Sequence, residues 1–405
     1  MENMISNPSE NIATATPHGR ISKTIGYYVA FIALGLTSAS LGPTLPGLAE
    51  HTRTNLAQIS ILFTARSIGY LLGSLQGGRY YDRKAGHPVF TIMLLIMAAT
   101  MAIAPTISLL CVLFLVLLIL GAAEGAIDVG GNTLLVWVHR DRVGPYMNGL
   151  HFFFGIGAFL SPVIIAQAML FSGDISWAYW ILAFLMLPVA LFLYRLPSPP
   201  HPLIIKDKTT GQTNRVLMVL VVTFFFLYVA AEVSFGGWIF TYATNIGMKE
   251  VAAAAYLTSA FWGSITIGRL FAIPAAANFR PHTILFFDLL TCLTSLVIIL
   301  LASGNPVVLW VGTIGVGLSM ASIFPTMISF AGQRLTITGR VTSWFFIGAS
   351  GGGIVLPWLI GQLFENFGPQ ATMITILVDM IAAAAVYIVL NNYSPHPHGK
   401  LSTDR

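Results

Sequence analysis

Charged side chains are scarce in this sequence. Lys, Arg, Asp and Glu together make up 9% of its 405 residues, whereas they make up about 25% of a typical soluble domain. Apolar residues reach 56%, and a soluble fold could not keep so much apolar surface away from water. The same composition excludes an intrinsically disordered chain, which needs low hydrophobicity. The sequence therefore indicates a protein that crosses the membrane several times, with lipid around it.

Other absences narrow the function. The two cysteines, Cys111 and Cys292, lie in apolar runs and form neither a metal-binding pattern nor a disulfide framework. The net charge is +5, but the basic residues are not clustered, so nucleic-acid binding is not expected. No phosphate-binding loop follows a strand, and no nucleophile–base motif stands out. We therefore expect no enzyme activity, no cofactor and no metal site, and we expect a monomer.

Long apolar runs dominate the chain. A membrane span needs roughly 20 apolar residues, and the runs are continuous rather than alternating, which favours helices over barrel strands. We predict an all-α membrane protein with 12 transmembrane helices. The predicted spans cover residues 25–48, 57–78, 88–104, 108–138, 145–170, 176–194, 216–246, 251–276, 282–302, 306–331, 341–364 and 369–390.

The distribution of basic residues predicts the topology. If the N-terminus is cytoplasmic, the cytoplasmic segments hold 16 of the 20 Lys and Arg residues. The positive-inside rule then places both termini in the cytoplasm, with the protein in the plasma or inner membrane. The predicted division is a tail over 1–24, a six-helix bundle over 25–195, a cytoplasmic linker over 196–214, a second six-helix bundle over 215–391 and a tail over 392–405.

The two groups of six spans resemble each other. At a constant offset of 195, span 5 matches span 11 through the pairs Gly157 and Gly352, Pro162 and Pro357, and Gln167 and Gln362. Such a repeat predicts two pseudo-symmetric bundles with a binding site between them, near the middle of the membrane. Because both halves keep the glutamine, we expect Gln167 and Gln362 to serve hydrogen bonding between helices within the repeat rather than ligand binding.

Acidic residues inside spans are the main functional candidates, because a buried charge in a membrane is costly. Glu124, Asp128 and Asn132 in span 4 are spaced four apart and therefore share one helix face. Two neighbouring carboxylates repel when both are ionised, so at least one should bind a proton readily, or a sodium ion could lie between them. We predict that Glu124 and Asp128 bind a coupling cation. Arg66 in span 2 is a possible counter-charge, and a tight pair with either acid could be purely structural.

A further set of polar and aromatic residues could recognise a solute. Asn132, His151, Glu232 and Trp238 offer amide, imidazole, carboxylate and indole groups. Amides and carboxylates bind the hydroxyls of a sugar, and an aromatic face packs against its C–H surface. These groups do not follow the repeat. At an offset of 200, for example, the residue equivalent to Glu232 is Ile32. We predict that this set binds a small polar substrate, a sugar by class.

A short polar motif follows span 2. Gly77 and Gly78 precede Asp82 and Arg83, in a segment that resembles the signature of the major facilitator superfamily. The resemblance implies that Asp82 and Arg83 make charge contacts that hold the cytoplasmic side closed.

The second half carries a weaker counterpart at Gly268, Arg269 and Leu270. Arg269 and Asp288 lie at nearly equal distances from the turn near Phe279, so they should reach similar depths on adjacent helices. We predict that they pair, with a structural or gating role.

Longer segments resemble a narrower family within that superfamily. They lie in spans 1, 4, 5 and 7 and comprise residues 41–45, 128–132, 145–158 and 231–238. These segments are similar to the sodium-dependent glucose transporter family, which belongs to a broader group with the fucose–proton symporters. The resemblance implies the major facilitator fold, and symport of a hexose or similar molecule with a sodium ion or a proton.

Two other functions stay open on the sequence. The first is a proton-driven exporter of drugs or metabolites, which an apolar, aromatic cavity would favour. The second is a transporter-shaped receptor without turnover, against which the acids kept in span 4 argue.

Overall fold

Most of the chain that the structure describes is helical. The computed structural model describes residues 17–200, 214–335 and 339–393. These ranges hold fourteen α-helices, two short 3-10 helices and no strand. Helices are expected in lipid, where each span must satisfy its own backbone N–H and C=O groups.

The predicted tails and linker are only partly covered. Residues 1–16, 201–213 and 394–405 lie outside the described residues, so the domain boundaries at those places stay predictions. The first helix begins at Pro17, eight residues before the first predicted span.

The first span is a bent pair of helices rather than one continuous helix. α1 (Pro17–Ser38) and α2 (Leu41–Thr52) meet at a bend of 47°. The Ser40 hydroxyl donates a hydrogen bond to the carbonyl of Thr37 at 2.7 Å. Pro43, in the first turn of α2, has no N–H for the carbonyl four residues earlier. The chain therefore bends where the helical hydrogen-bond pattern is interrupted.

The remaining helices of the first half are α3 (Leu56–Ile59), α4 (Ile61–Tyr81), α5 (Gly86–Ile103), α6 (Leu110–His139), α7 (Val143–Ser172) and α8 (Ile175–Arg195). Those of the second half are α9 (Arg215–Asn245), α10 (Val251–Asn278), α11 (Pro281–Leu301), α12 (Pro306–Gly332), α13 (Gly339–Phe367) and α14 (Gln370–Asn392). Eleven helical stretches are long and apolar enough to cross a membrane, and the bent pair makes a twelfth span. The predicted fold class is confirmed.

The helix ends define two membrane faces. With an even number of spans, α1 begins and α14 ends at the same face, which we call the terminal face. Asn214, which precedes α9, donates a hydrogen bond to the hydroxyl of Tyr393, which follows α14, at 3.3 Å. The second half therefore also begins at the terminal face. We call the other side the opposite face.

Equivalent glycines show the repeat in three dimensions. A Cβ at Gly157 of α7 would lie 2.1 Å from the carbonyl oxygen of Ile32 in α1. A Cβ at Gly352 of α13 would lie 2.0 Å from the carbonyl oxygen of Phe226 in α9. Neither place has room for a side chain, so glycine lets both helix pairs approach closely. The α7–α1 and α13–α9 contacts are thus related by the predicted repeat.

The two halves meet along two seams. In the α7–α10 seam the helices are very close, since a Cβ at Gly155 would lie 2.2 Å from the hydroxyl oxygen of Thr266. In the α4–α13 seam hydrogen bonds cross between the halves, for example from the Thr64 hydroxyl to the Ile354 carbonyl at 2.9 Å. Both seams extend toward the opposite face.

Candidate functional site

A carboxylate in the first half is held by neutral donors. Asp128 on α6 is half-buried and accepts hydrogen bonds from the Tyr70 hydroxyl on α4 and from the Asn132 amide, the latter at 3.1 Å. The same amide donates to the Asp128 carbonyl oxygen at 2.8 Å. Asp128 makes no ion pair with any residue in the described part of the chain. Among the described residues, the hydrogen-bond donors to its side-chain oxygens are thus neutral.

Glu124, one turn before Asp128, has a different environment. The Arg66 guanidinium donates to both of its oxygens, at 2.5 and 2.7 Å, and Glu124 is only 1% exposed. Arg66 also donates to the carbonyl of Ser38, at the end of α1, at 3.0 Å. From the sequence, Arg66 could pair with either acid of span 4, and in the structure it pairs with Glu124. It does not bring Glu124 and Asp128 into one shared cation site, because Arg66 occupies both oxygens of Glu124.

Tyr70 is the member of this group that the sequence analysis did not single out. α4 and α6 run in the same direction, so contacting residues keep a constant separation along the chain. Arg66 and Glu124 are 58 positions apart, as are Tyr70 and Asp128. The four-residue spacing shared by Arg66–Tyr70 and Glu124–Asp128 was the sequence signal that could have found the tyrosine.

The side chain of His151 lies near Asp128 and links it to the second half of the molecule. His151 on α7 is exposed and packs edge-on against Phe31, with ring centroids 6.0 Å apart. It interacts electrostatically with Asp128 and with Arg269 on α10. His151 therefore has an acid of the first half and a cation of the second half as electrostatic neighbours.

Glu232 on α9 extends the group into the second half. It is half-buried and interacts electrostatically with Arg269 and Tyr228. The Tyr228 hydroxyl donates to the carbonyl of Met320 on α12 at 2.9 Å, which fixes its position. Side chains of both halves thus form one connected set. We call it the central polar group, and it comprises Tyr70, Asp128, Asn132, His151, Glu232 and Arg269.

The predicted pair between Arg269 and Asp288 is wrong. Asp288 on α11 instead accepts a hydrogen bond from the Ser322 hydroxyl on α12 at 2.5 Å. Arg269 interacts with Glu232 and His151. Equal distances from the connecting turn set only the depth of the two side chains in the membrane. The direction in which each leaves its helix differs, and that direction decides the partner.

Trp238 does not join the other predicted substrate residues. It is fully buried, and its indole N–H donates to the carbonyl of Pro357 at 3.0 Å. Its ring stacks on Phe364 and contacts Phe63, with centroids 5.6 and 6.0 Å apart. Trp238 lies six residues after Glu232, which is about 9 Å along the helix toward the opposite face. In this structure the indole is part of the packing between the halves.

The predicted gating charges lie at the terminal face. Asp82 follows the end of α4, and both Asp82 and Arg83 are exposed. Within the described ranges neither residue forms an ion pair. Their predicted charge contacts are thus not made among the described residues, and the gating role stays a prediction.

The donor set of the central polar group limits what it can bind. In the described part of the chain, His, Cys, Asp and Glu side chains do not gather three at a time in a group that could hold a metal ion. Carboxylate, amide and hydroxyl oxygens suit a hard cation or a proton rather than a thiolate-preferring metal. The same groups can exchange hydrogen bonds with hydroxyls of a solute.

Comparison with known proteins agrees with this architecture. The model of the Major Facilitator Superfamily matches residues 27–357. Sodium-dependent glucose transporter 1 of Xenopus laevis is 34% identical over 385 residues, which cover 87% of this chain and 78% of the relative. The human protein of that name is 31% identical over 411 residues, covering 91% and 79%.

A solved structure gives the same picture of the fold. The crystal structure of the nucleoside transporter NupG matches with a TM-score of 0.73 at 15% identity and covers 93% of this chain and 100% of the other. At that identity the likeness shows the fold alone. The family match and the curated relatives, however, extend over most of the sequence. The chain therefore belongs to the Major Facilitator Superfamily and is a membrane transporter, not an enzyme, related to the proteins named sodium-dependent glucose transporter 1.

Proposed function

We propose that this transporter moves a small polar solute, a sugar by class, together with a sodium ion or a proton, and that the cation binds at Asp128. The observation that carries the proposal is the contrast between the two acids of α6. Glu124 is bound by Arg66 through both oxygens, whereas Asp128 is held by the neutral donors of Tyr70 and Asn132.

Charge neutralisation explains how the cation would drive the solute. A charged carboxylate is costly to carry through an occluded state that excludes water. A bound cation cancels that charge, so the loaded protein changes conformation more readily than the protein with an ionised, empty Asp128. Because the solute then crosses only together with the cation that neutralises Asp128, an ion gradient can drive accumulation of the solute.

The chemistry of the central polar group supports a polar solute. It offers carboxylate, imidazole, amide and guanidinium groups from both halves, which suit hydroxyl recognition. An exporter of apolar drugs would present an apolar, aromatic cavity instead, and here Trp238 is buried in packing. The name shared by the curated relatives supports glucose or a similar hexose as the first solute to test.

We also infer that the terminal face is the cytoplasmic side of the plasma or inner membrane. The positive-inside rule supports this orientation, because the segments at that face carry most of the basic residues. Hydrogen bonds join the halves toward the opposite face, while His151 is exposed. On this orientation the structure corresponds to a conformation open to the cytoplasm.

The test is uptake by purified protein in liposomes. Labelled glucose, other sugars and a nucleoside are supplied under a sodium gradient alone and under a proton gradient alone. We expect one of the two gradients to drive accumulation of a sugar above its equilibrium concentration. Uptake restricted to the nucleoside, or to an apolar drug moving outward, would overturn the sugar assignment. Sugar uptake that ignores both gradients would overturn the coupling.

A further inference from the structure

Two glutamines in equivalent positions of the repeat both bind the other half of the molecule. Gln167, near the end of α7, donates through Nε2 to the hydroxyl of Tyr256 on α10 at 2.5 Å. Gln362, near the end of α13, donates through Nε2 to the carbonyl of Ala57 on α3 at 2.7 Å. The sequence predicted hydrogen bonds within the repeat, whereas each glutamine reaches across the interface between the halves.

The acceptors are related by the repeat as well. Tyr256 lies in the second turn of α10, which is span 8, and Ala57 lies in α3, which begins span 2. Span 8 of the second half is the equivalent of span 2 of the first. The two acceptors are 199 positions apart, close to the offset of 200 between spans 1 and 7. One pseudo-symmetry therefore relates both donors and both acceptors.

Both bonds lie at the end of the interface nearest the opposite face. Gln167 is 16 residues beyond His151 on α7, which is about 24 Å along a helix axis. Gln362 is five residues before the end of α13, at Phe367. The central polar group thus lies on the terminal side of both bonds.

Further hydrogen bonds stabilise the α4–α13 seam on the terminal side of Gln362. The hydroxyls of three α4-side residues, spaced four and three apart, donate to backbone carbonyls of α13 at 3.4, 2.9 and 3.1 Å. These pairs are Ser60 with Trp358, Thr64 with Ile354, and Ser67 with Gly353. The α7–α10 seam relies instead on close packing, as at Gly155 and Thr266. The two seams thus share equivalent glutamine hydrogen bonds, but their contacts differ on the terminal side of those bonds.

We propose that Gln167 and Gln362 are a repeat-related pair of latches that hold the opposite face closed, and that both bonds must break before a solute can pass between that face and the central polar group. The proposal rests on the transport function, but it concerns the conformational equilibrium and not the solute. Each latch is a single donor outside the central polar group. Removing one donor should favour the conformation open to the opposite face by about fivefold, the factor for one typical net hydrogen bond.

The experiment measures access from the opposite face with a cysteine reporter. Val233→Cys is suitable because the Val233 side chain lies at the α4–α13 seam, 3.8 Å from the position of a Cβ at Gly353. Cys111 and Cys292 are first replaced by alanine. Protein of known orientation in sealed vesicles is treated from either face with a membrane-impermeant thiol reagent. The labelling rate is compared among variants without any sugar or coupling-ion gradient.

Gln167→Leu and Gln362→Leu remove the two donors while keeping the side-chain size. We expect each to raise labelling from the opposite face about fivefold, and the double variant to raise it about 25-fold, because distant sites act independently. Gln333→Leu is the matched control, since Gln333 is exposed after α12 at the terminal face. It should leave the rate unchanged.

Tyr256→Phe removes the acceptor of the Gln167 hydrogen bond. It is the alternative variant for testing the first latch if Gln167→Leu does not fold. It should reproduce the effect of Gln167→Leu, add nothing to it, and add fully to Gln362→Leu. Unchanged labelling from the opposite face in folded variants would overturn the proposal. So would an equal rise from both faces, which indicates general loosening. If labelling changes as expected but the unmodified protein accumulates no sugar, only the proposed function fails.

Discussion

Tyr70 donates a hydrogen bond to Asp128 one helical turn away from the place where Arg66 holds Glu124. Two acids on one helix face thus have different environments. Glu124 is part of a buried ion pair, whereas Asp128 is half-buried with neutral partners. The difference originates on α4, where an arginine and a tyrosine follow the same four-residue spacing as the acids. Under the proposed function, this arrangement separates a structural role for Glu124 from a coupling role for Asp128.

Neutralising Asp128 should separate exchange from accumulation. In Asp128→Asn the site keeps its shape but no longer changes charge, so an ion gradient cannot drive the conformational cycle. We expect loss of concentrative sugar uptake in liposomes, with sugar-for-sugar exchange retained. Asp288→Asn is the matched control, because Asp288 is a membrane acid bonded to Ser322 outside the central polar group. Unchanged concentrative uptake in Asp128→Asn would rule out its coupling role.

Removing the Tyr70 hydroxyl should strengthen cation binding. The hydroxyl stabilises the ionised, empty Asp128 carboxylate, and a hydrogen bond to a charged group contributes about 1.5–3 kcal/mol. We expect Tyr70→Phe to lower the half-saturating cation concentration by about tenfold and to slow release at the terminal face. The measurement is the cation dependence of uptake, with Tyr80→Phe, exposed near the end of α4, as control. A concentration dependence identical to that of the unmodified protein would contradict this role.

The Arg66–Glu124 pair should matter for stability more than for coupling. Arg66→Leu leaves Glu124 buried without its partner, and breaking a buried pair in this way costs about 3–5 kcal/mol. Changing both residues to leucine should recover much of that loss, because no uncompensated charge remains. Chemical unfolding in detergent measures the free energies, with the exposed Arg79→Leu as control. Additive effects of the two single changes would mean that the residues are not energetically coupled.

Solute affinity should depend on the central polar group and not on the buried indole. His151→Ala and Glu232→Gln each remove a polar group that faces the interface, so we expect at least a tenfold weaker sugar affinity, which corresponds to about 1.4 kcal/mol. Trp238→Phe keeps a ring in the packing against Phe63 and Phe364 and should leave affinity nearly unchanged. Equilibrium binding of a labelled sugar decides the matter. Normal affinity in both polar variants would place the solute elsewhere.

Asp174, in a loop at the opposite face, should make a small contribution to the stability of the fold that is lost at acidic pH. Asp174 caps α8 and lies 3.3 Å from the His51 side chain. Burial raises the pKa of Asp174, but hydrogen bonds from Ser176 and Ile175 and the nearby His51 lower it more, so its pKa lies below the usual 3.8. The stabilisation is therefore complete above pH 3.8 and is lost as the pH falls through the lower folded-state pKa.

The change Asp174→Asn tests this contribution. Asparagine keeps an oxygen for the helix cap but does not titrate in this range. Because the carboxylate is 44% exposed, we expect a contribution of no more than about 1 kcal/mol. Melting temperatures at pH 5 and in more acidic buffer should converge for the two proteins as the pH falls below 3.8. A constant difference between the two proteins would mean that Asp174 does not titrate in the folded state.

Much of the architecture could be predicted because lipid imposes simple rules on a sequence. Apolar runs must be helical and about 20 residues long, so the twelve spans and the offset between Gly157 and Gly352 were visible without coordinates. The α helix also places residues four apart on one face, and Asp128 and Asn132 do lie together. The bend before Pro43 was missed, because the apolar run continues across it.

Which side chains contact one another was harder to predict from the sequence. Arg269 and Asp288 were expected to pair from their depth, yet depth does not fix the direction of a side chain around its helix. Trp238 had the residue type for sugar recognition, but its position on α9 directs it into the packing near Pro357.

The sequence by itself determined a helical membrane transporter of two related halves with acids on its fourth span, because hydrophobicity, helical spacing and repeat offsets are properties of local chain segments. Only the tertiary structure decided that Arg66 pairs with Glu124 and that Tyr70 donates a hydrogen bond to Asp128. It also decided that Gln167 and Gln362 form hydrogen bonds across the interface. Those outcomes depend on how helices far apart in the chain are rotated and set against one another, which no local pattern specifies.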